Sequence, residues 1–425
     1  MSSTSDSKPI KILYVAFACE PGRGSEPGIG WNFVEEASKR RPVWVLTNSV
    51  HQKNMDAYLQ SKHQYHPIYP IYVHLPLLGF LLTSFLGNNI FYYLWQFLAA
   101  REGRRAHEKE NFELVHHVSY ERFWMHSAGA SIGPPFLFGP VGGGEFWPKS
   151  MMSELPWRNR VTGYLWNTIR TLMEHDPFLR KTLRRATGVI ASVEAARRHL
   201  RRLGVEPIEV MITLLPNPTL PTQSSVQQPS IPFRFTSIGR LPRWKGVHLG
   251  IQAFAKAFGP NSPHPSNSAE YVIIGDGHDL PNLKKLACSL GVEKQVRFEG
   301  NLPYQQCVEH LLRSSAMIHP TLRDSAGLVY EALMLGIPVA CVDVGMPAVL
   351  VNSSCGTVIE SSGGSKYVVD SLASTMLRWF SDPDEYRRLQ EGAKARTQLI
   401  NREKRGNRLE AIYLEILGKP APNPK

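Results

Sequence analysis

What the sequence lacks narrows its function first. It has only five cysteines in 425 residues (Cys19, Cys288, Cys307, Cys341 and Cys355), and none forms a C-x-x-C pair. Thiols so few, odd in number and widely spaced fit neither a disulfide framework nor a zinc site. They are expected to be reduced, in a cytoplasmic protein. Walker A and zinc-hydrolase patterns are missing as well. The start, MSSTSDSK followed at once by the apolar KILYVAFA, has no secretory pattern of charged, apolar and small residues. A membrane-spanning helix needs about 20 apolar residues in series. The segment LPLLGFLLTSFLGNNIFYYLWQFLAA, residues 75–100, is broken by Gly79, Gly87, Asn88 and Asn89. It reads as two shorter helical pieces that either pack into the protein or lie in a membrane interface.

Acidic residues are the minority, 36 against 48 Lys and Arg, for a net charge of +12. Basic residues cluster at Arg180, Lys181, Arg184, Arg185, Arg197, Arg198, Arg201 and Arg202. That surface suits anionic lipid and a plain solvated helix face equally. Aromatic-basic motifs of RNA-binding modules are absent, so nucleic acid is not an expected partner. The composition, 43% hydrophobic and 20% charged, is that of a globular protein of two or three domains.

What is present is a near-continuous alternation of short apolar strands and helices. KILYVAFA, PVWVLTN, PIYVHL, ELVHHV, PFLFGPV, TGVIASV and VMITLLPNP read as strands, with GWNFVEEASKR, YYLWQFLAAREGRRAHEKEN and EAARRHLRRLG as helices. The Pro-, Ser- and Gln-rich residues 217–232 read as a linker. The alternation then restarts with FRFTSIG, EYVIIGDG, QVRFEG, AMIHPT, PVACVDVG and GTVIE. This predicts an α/β protein with two doubly wound, Rossmann-like parallel sheets facing a cleft, where ligands sit beyond the carboxyl ends of the strands.

Several residues at those strand ends suit a nucleoside diphosphate. Arg240 and Lys245 follow the strand FRFTSIG; a forked and a point cation suit a diphosphate, and solvated loop charges are the plainer alternative. In IHPTLRDSAGLVYEALMLGIPVA, Asp324 and Ser325 are candidate caps of a helix whose first amides, around Gly327 and Leu328, can accept phosphate oxygens. Glu331, one turn further in, can take hydrogen bonds from a vicinal diol such as a ribose, or simply answer the helix dipole. The Gly-rich GRGSEPGIGW resembles a phosphate loop, but Pro27 stands where G-x-G-x-x-G needs its third glycine. No acidic residue ends the second strand either, which argues against a dehydrogenase. His116 and His117 end one strand, and Gly142–Gly144 with Glu145 follow another.

Together GRLPRWKGVHLGIQAF, VIIGDG, VRFEGNLPYQQ, IHPTLRDSAGLVYEALMLGIPVA and the Pro-Asn of LLPNP resemble the retaining, nucleotide-sugar-dependent glycosyltransferases of family 4, which have the GT-B fold. ACEPGRGSEPGIGW, HHVSY and GPVGGGE are similar to one bacterial branch of that family. The resemblance implies an acceptor-side domain over 1–216, the linker 217–232, a nucleotide-sugar domain over 233–400, and a final helix in 401–425 packing back on the first domain. It gives Arg240, Lys245 and the backbone at Gly327 and Leu328 the donor diphosphate, and Glu331 its ribose. Asp324 stands for the acid that contacts the donor sugar, but seven residues before Glu331 rather than eight, with Arg323 at the eighth. A histidine near the transferred sugar would be His117 or His116, with His117 preferred. Gly24, Ser25 and Glu26 match the loop facing the acceptor.

The expected function is transfer of a hexosyl group from a UDP- or GDP-sugar to a glycan or lipid-linked acceptor, with retention, in cell-surface polysaccharide synthesis. The nucleotide sugar is the donor substrate, and neither cofactor nor metal is expected. The expected place is the cytoplasm, in peripheral contact with the inner face of the membrane. The alternative is a catalytically inactive GT-B-like nucleotide-sugar-binding or scaffold protein.

Overall fold

A computed structural model describes residues 10–23, 25–61, 67–75, 85–145, 147–213, 232–265, 267–323 and 326–419. Gly24, Asp324, Ser325, the N-terminal tail and all of the expected linker except Pro232 lie outside them.

The chain divides into two compact units. The first comprises residues 1–144, 168–215 and 401–425, and the second 145–167 and 216–400. In the first, the described strands are β1 (Ile12–Val15), β2 (Val43–Asn48), β3 (Ile68–Val73), β4 (Leu114–His117), β5 (Phe136–Val141) and β6 (Gly188–Ala191), all parallel in the order β3-β2-β1-β4-β5-β6. In the second they are β7 (Phe233–Ile238), β8 (Ala269–Ile274), β9 (Val296–Gly300), β10 (Ala316–His319), β11 (Val339–Val342) and β12 (Gly356–Ile359), again parallel, in the order β12-β11-β10-β7-β8-β9. Counted from each unit's own first strand, both orders are 3-2-1-4-5-6, so each sheet reverses direction beside its first strand. The runs of Val, Ile, Leu and Phe form strands because both faces of such a sheet are covered by helices. Pro70, which cannot donate to a ladder, sits in the edge strand β3.

Four local features differ from the expectation. The expected break at Gly87, Asn88 and Asn89 is absent: one helix, Phe85–Glu110, runs through them, and residues 76–84 lie outside the described residues. Its Phe91, Tyr92 and Trp95 are buried, which offsets the weak helix formers, while Ile90, Leu94 and Phe97 are exposed. None of the described helices is long and apolar enough to cross a membrane. VMITLLPNP makes no strand among its described residues, only a single bridge between Val210 and Ala191.

Residues 145–167 leave the first unit for the second, because Met151 and Leu155 pack into its core beside Leu249, Ile251 and Met376. The last helix, Arg402–Ile416, lies in the first unit, where Leu409, Ile412 and Tyr413 join Ile12, Tyr14 and Leu114 in the core.

The Gly-rich segment after β1 is not an open loop from Ser25 onward: the helix Ser25–Ser38 already starts there. A Cβ on Gly28 would lie 2.1 Å from the Arg23 carbonyl oxygen, and one on Gly30 2.1 Å from that of Ala18. These glycines let the helix seat against the strand end, rather than cradling phosphate.

Candidate functional site

In open parallel sheets, ligands bind where the strand order reverses. In the second unit that point lies between β7 and β10, which pair directly. Arg240 and Lys245 follow β7, and the helix Gly327–Met334 with Glu331 follows β10.

Backbone bonds hold these connections together. The Gly239 N–H donates to the Ile274 carbonyl and the Leu241 N–H to that of Asp276, both at 2.9 Å, so the turn after β7 lies against the turn after β8. The Leu322 N–H donates to the Trp244 carbonyl at 2.9 Å, tying the Lys245 loop to the chain leaving β10. Gly246, with φ of 70°, completes the approach: a Cβ there would lie 1.9 Å from the Pro320 carbonyl oxygen.

Arg240 is exposed and makes no ion pair among the described residues. The Lys245 ammonium lies 4.9 Å from the centre of the Trp244 ring. Arg243, between them, is committed elsewhere. Its guanidinium reaches the Glu154 carbonyl and carboxylate at 3.1 and 3.6 Å and the Asp279 carboxylate at 3.5 Å. The buried His248 ring meets the same Glu154 carboxylate at 3.2 Å, a hydrogen bond that holds the Glu154 acid well below its ordinary range. Glu154 thus fixes the base of the loop that carries Arg240 and Lys245. Nothing local in the sequence marks it, because it lies 89 residues from Arg243.

The residue before the helix Gly327–Met334 is Ala326, whose side chain makes no capping bond, and the expected caps Asp324 and Ser325 lie outside the described residues. Among the described residues, a Cβ on Gly327 would meet nothing within 4 Å. Leu328 is half-buried. Glu331 is the chemically unusual member. Its Oε1 accepts from the Tyr304 hydroxyl at 3.2 Å, while its buried Oε2 has no hydrogen-bond partner among the described residues. Burial pushes its carboxyl up to about 7, against the Tyr304 bond, which favours the charged form. Tyr304 lies in the matched stretch VRFEGNLPYQQ and carried no expected role. Asp324, the expected sugar-contacting acid, lies outside the described residues.

The first unit's reversal point lies between β1 and β4; several of its groups are paired, while His117 Nε2 and the Tyr120 hydroxyl are buried with no hydrogen-bond partner among the described residues. Glu26 accepts from the backbone N–H of Tyr120 at 2.7 Å and of Glu121 at 3.3 Å. His116 and His117 are both buried. His116 meets the Tyr413 hydroxyl and the Gly139 carbonyl, each at 2.7 Å. His117 Nδ1 meets Ser127 Oγ at 3.1 Å. Burial pushes both imidazoles down to about 3, so each is neutral near pH 7. Among the described residues, no group of three or more His, Cys, Asp or Glu could hold a metal ion.

Residues 223–396 match the family described as glycosyl transferases group 1. That match covers less than half of the chain; over it the chain is similar to group 1 glycosyltransferases, and its two 3-2-1-4-5-6 sheets are those of the GT-B fold. Among curated relatives, the D-inositol 3-phosphate glycosyltransferase of Corynebacterium jeikeium is 30% identical over 166 residues, which cover 37% of this chain and 39% of the relative. The chain therefore spans about two fifths of the length of that relative. Two solved structures share the fold. The lipopolysaccharide outer core galactosyltransferase WaaB, in its apo form, has a TM-score of 0.63 at 13% identity, covering 96% of this chain and 100% of the other. Anabaena Alr3699/HepE, in complex with UDP and glucose, has a TM-score of 0.55 at 16% identity over the same shares.

Proposed function

We propose that this protein transfers a hexosyl group from a UDP- or GDP-sugar to a glycan or lipid-linked acceptor. The observation that carries the reading is Glu331. A buried carboxylate is costly unless its oxygens are engaged, and one of its two oxygens has no partner among the described residues. A ribose diol supplies the missing donors. In front of it, the first amides of the helix at Gly327 and Leu328 suit phosphate oxygens, and the loop after the neighbouring strand brings Arg240 and Lys245.

In this reading the two cations and the helix end stabilise the charge that grows on the diphosphate as the glycosidic bond breaks. Electrostatic stabilisation of this kind is often the largest contribution to catalysis. Asp324 is assigned to the donor sugar, His117 as a neutral imidazole to the transferred sugar, and Gly24, Ser25 and Glu26 to the acceptor side. Retention of configuration and a role in cell-surface polysaccharide synthesis follow from the likeness to family 4. The names of WaaB, a galactosyltransferase, and of HepE, held with UDP and glucose, support the donor class.

A thermal-shift panel of UDP-, GDP- and ADP-sugars tests the reading, because a ligand bound to the native state raises its melting temperature. A UDP- or GDP-sugar is expected to raise it, and Glu331→Gln to remove most of the rise. No shift with any of them overturns the reading. Binding without turnover in any acceptor extract leaves the inactive binding protein instead.

A further inference from the structure

The helix Trp157–Met173 carries an apolar face that is exposed. Trp157, Val161, Tyr164, Leu165 and Leu172 are between 57% and 66% exposed. They fall at i, i+4, i+7, i+8 and i+15, which places them on one face. The opposite face, with Asn159, Gly163, Trp166, Asn167 and Met173, is half-buried. Its rotation is fixed from inside. A Cβ on Gly163 would lie 2.6 Å from the Trp147 ring, so the helix lies close against that ring. Turning the apolar face inward would break that contact. Two large aromatic and three aliphatic side chains in one exposed stripe form the kind of patch that a soluble surface normally covers.

The charges identify the covering partner. The helix contains Arg158, Arg160 and Arg170 and no Asp or Glu. Arg158 and Arg160 are exposed and flank the stripe on either side. After three residues the chain enters the helix Pro177–Arg185, with exposed Phe178, Arg180, Lys181, Arg184 and Arg185. A stripe of Trp, Tyr, Leu and Val bordered by arginines is the composition of helices that lie in the headgroup region of an anionic bilayer. A second copy of the chain fits less well, because it would set one arginine-bordered face, free of Asp and Glu, against another of the same sign.

We propose that the Trp157–Met173 helix is the membrane-docking element of this protein, lying in the interface of an anionic phospholipid bilayer through Trp157, Val161, Tyr164 and Leu165. This assigns lipid contact to a different segment from residues 75–100, and it stands apart from the nucleotide-sugar reading.

The test is flotation of the full chain with vesicles of phosphatidylcholine alone and of phosphatidylcholine with phosphatidylglycerol. The wild type is expected to float with the anionic vesicles only. The triple variant Trp157→Ser, Val161→Ser, Leu165→Ser is expected to float at least tenfold less, with an unchanged melting temperature because the replaced side chains are exposed. Arg158→Glu with Arg160→Glu, which keeps the apolar stripe, is expected to reduce flotation as well. The proposal fails if the wild type stays at the bottom of the gradient, or if the triple variant floats as the wild type does. It also fails if sedimentation shows a wild-type dimer that the triple variant converts to a monomer, which would make the stripe a self-association face. Donor-sugar thermal shifts in the same variants separate the two ideas: they should be unaltered whichever way flotation falls.

Discussion

The two units share strand order, and at the same place in each a carboxylate and backbone amides meet, yet the two places are finished differently. Between β1 and β4, Glu26 is already occupied by the amides of Tyr120 and Glu121, and both nitrogens of His116 have partners. Between β7 and β10, Glu331 keeps a buried oxygen without a partner among the described residues. Burial perturbs titration at both places, so burial alone does not mark function. A buried atom without a partner bears a cost that a ligand can relieve; Glu331 Oε2 is one in the second unit and His117 Nε2 one in the first. The comparison predicts that changes at Glu331 act on ligand binding and changes at His116, whose two nitrogens are both paired, on stability.

The largest expected effect is on turnover. Replacing Arg240 and Lys245 together by alanine should lower kcat for donor consumption by roughly a thousandfold, on the scale of losing one or two preorganised charge-stabilising groups. Arg240 is exposed, so the melting temperature should hold. A double variant with wild-type kcat would detach this loop from the chemistry.

Next is the acid sensitivity of the first unit. His116 and His117 titrate near 6.5 when unfolded and about 3 when folded. Between those values the unfolded chain binds more protons, so stability rises with pH across the window and is lost as pH falls through it. At pH 5 the loss is about 2 kcal/mol for each ring. Glu331 has the opposite sign. Its folded value of about 7 exceeds the ordinary 4.5, so its contribution to stability falls as pH rises through that range. Chemical denaturation at pH 7 and pH 5, with His116→Phe and Glu331→Gln as separate variants, distinguishes the two slopes. If His116→Phe leaves the acid slope unchanged, the histidine account is wrong.

Most of the strands were legible, because a covered parallel strand must be apolar along its whole length: KILYVAFA and EYVIIGDG leave little alternative. The diphosphate candidates were legible for a related reason, since each stands within a few residues of a strand's carboxyl end. Three features were not, and each depends on contacts between distant residues. The move of residues 145–167 into the second unit rests on Met151 and Leu155 finding a core formed mainly by later residues. The partner of Glu331 is Tyr304, 27 residues earlier. The Trp157 helix has ordinary amphipathic spacing, and only the fold reveals that its apolar side faces out. The fate of the Gly-rich segment after β1 is similar: its glycines could be read from the sequence, but not the Arg23 and Ala18 carbonyls that require them.

A smaller effect follows from the ionisation of Glu331. If the carboxylate accepts from a ribose diol, the deprotonated form is the competent one, and a carboxyl titrating near 7 is only partly in that form at neutral pH. UDP or GDP affinity should therefore rise as pH increases from 6 to 8. Glu331→Gln should weaken binding about tenfold at pH 8, close to 1.4 kcal/mol, and flatten the profile.

The smallest expected effect belongs to Tyr304. Its hydroxyl engages Oε1 at 3.2 Å and favours the charged carboxylate, so Tyr304→Phe leaves neither oxygen with a partner among the described residues and should push the Glu331 carboxyl further up. The bond is worth about 1 kcal/mol, so affinity at pH 7 should fall a few-fold while the midpoint of the pH profile moves upward. Isothermal titration at several pH values reads both. A loss of affinity with a stationary midpoint would mean that Tyr304 contacts the ligand itself rather than tuning Glu331, and would move it from a positioning residue to a binding one.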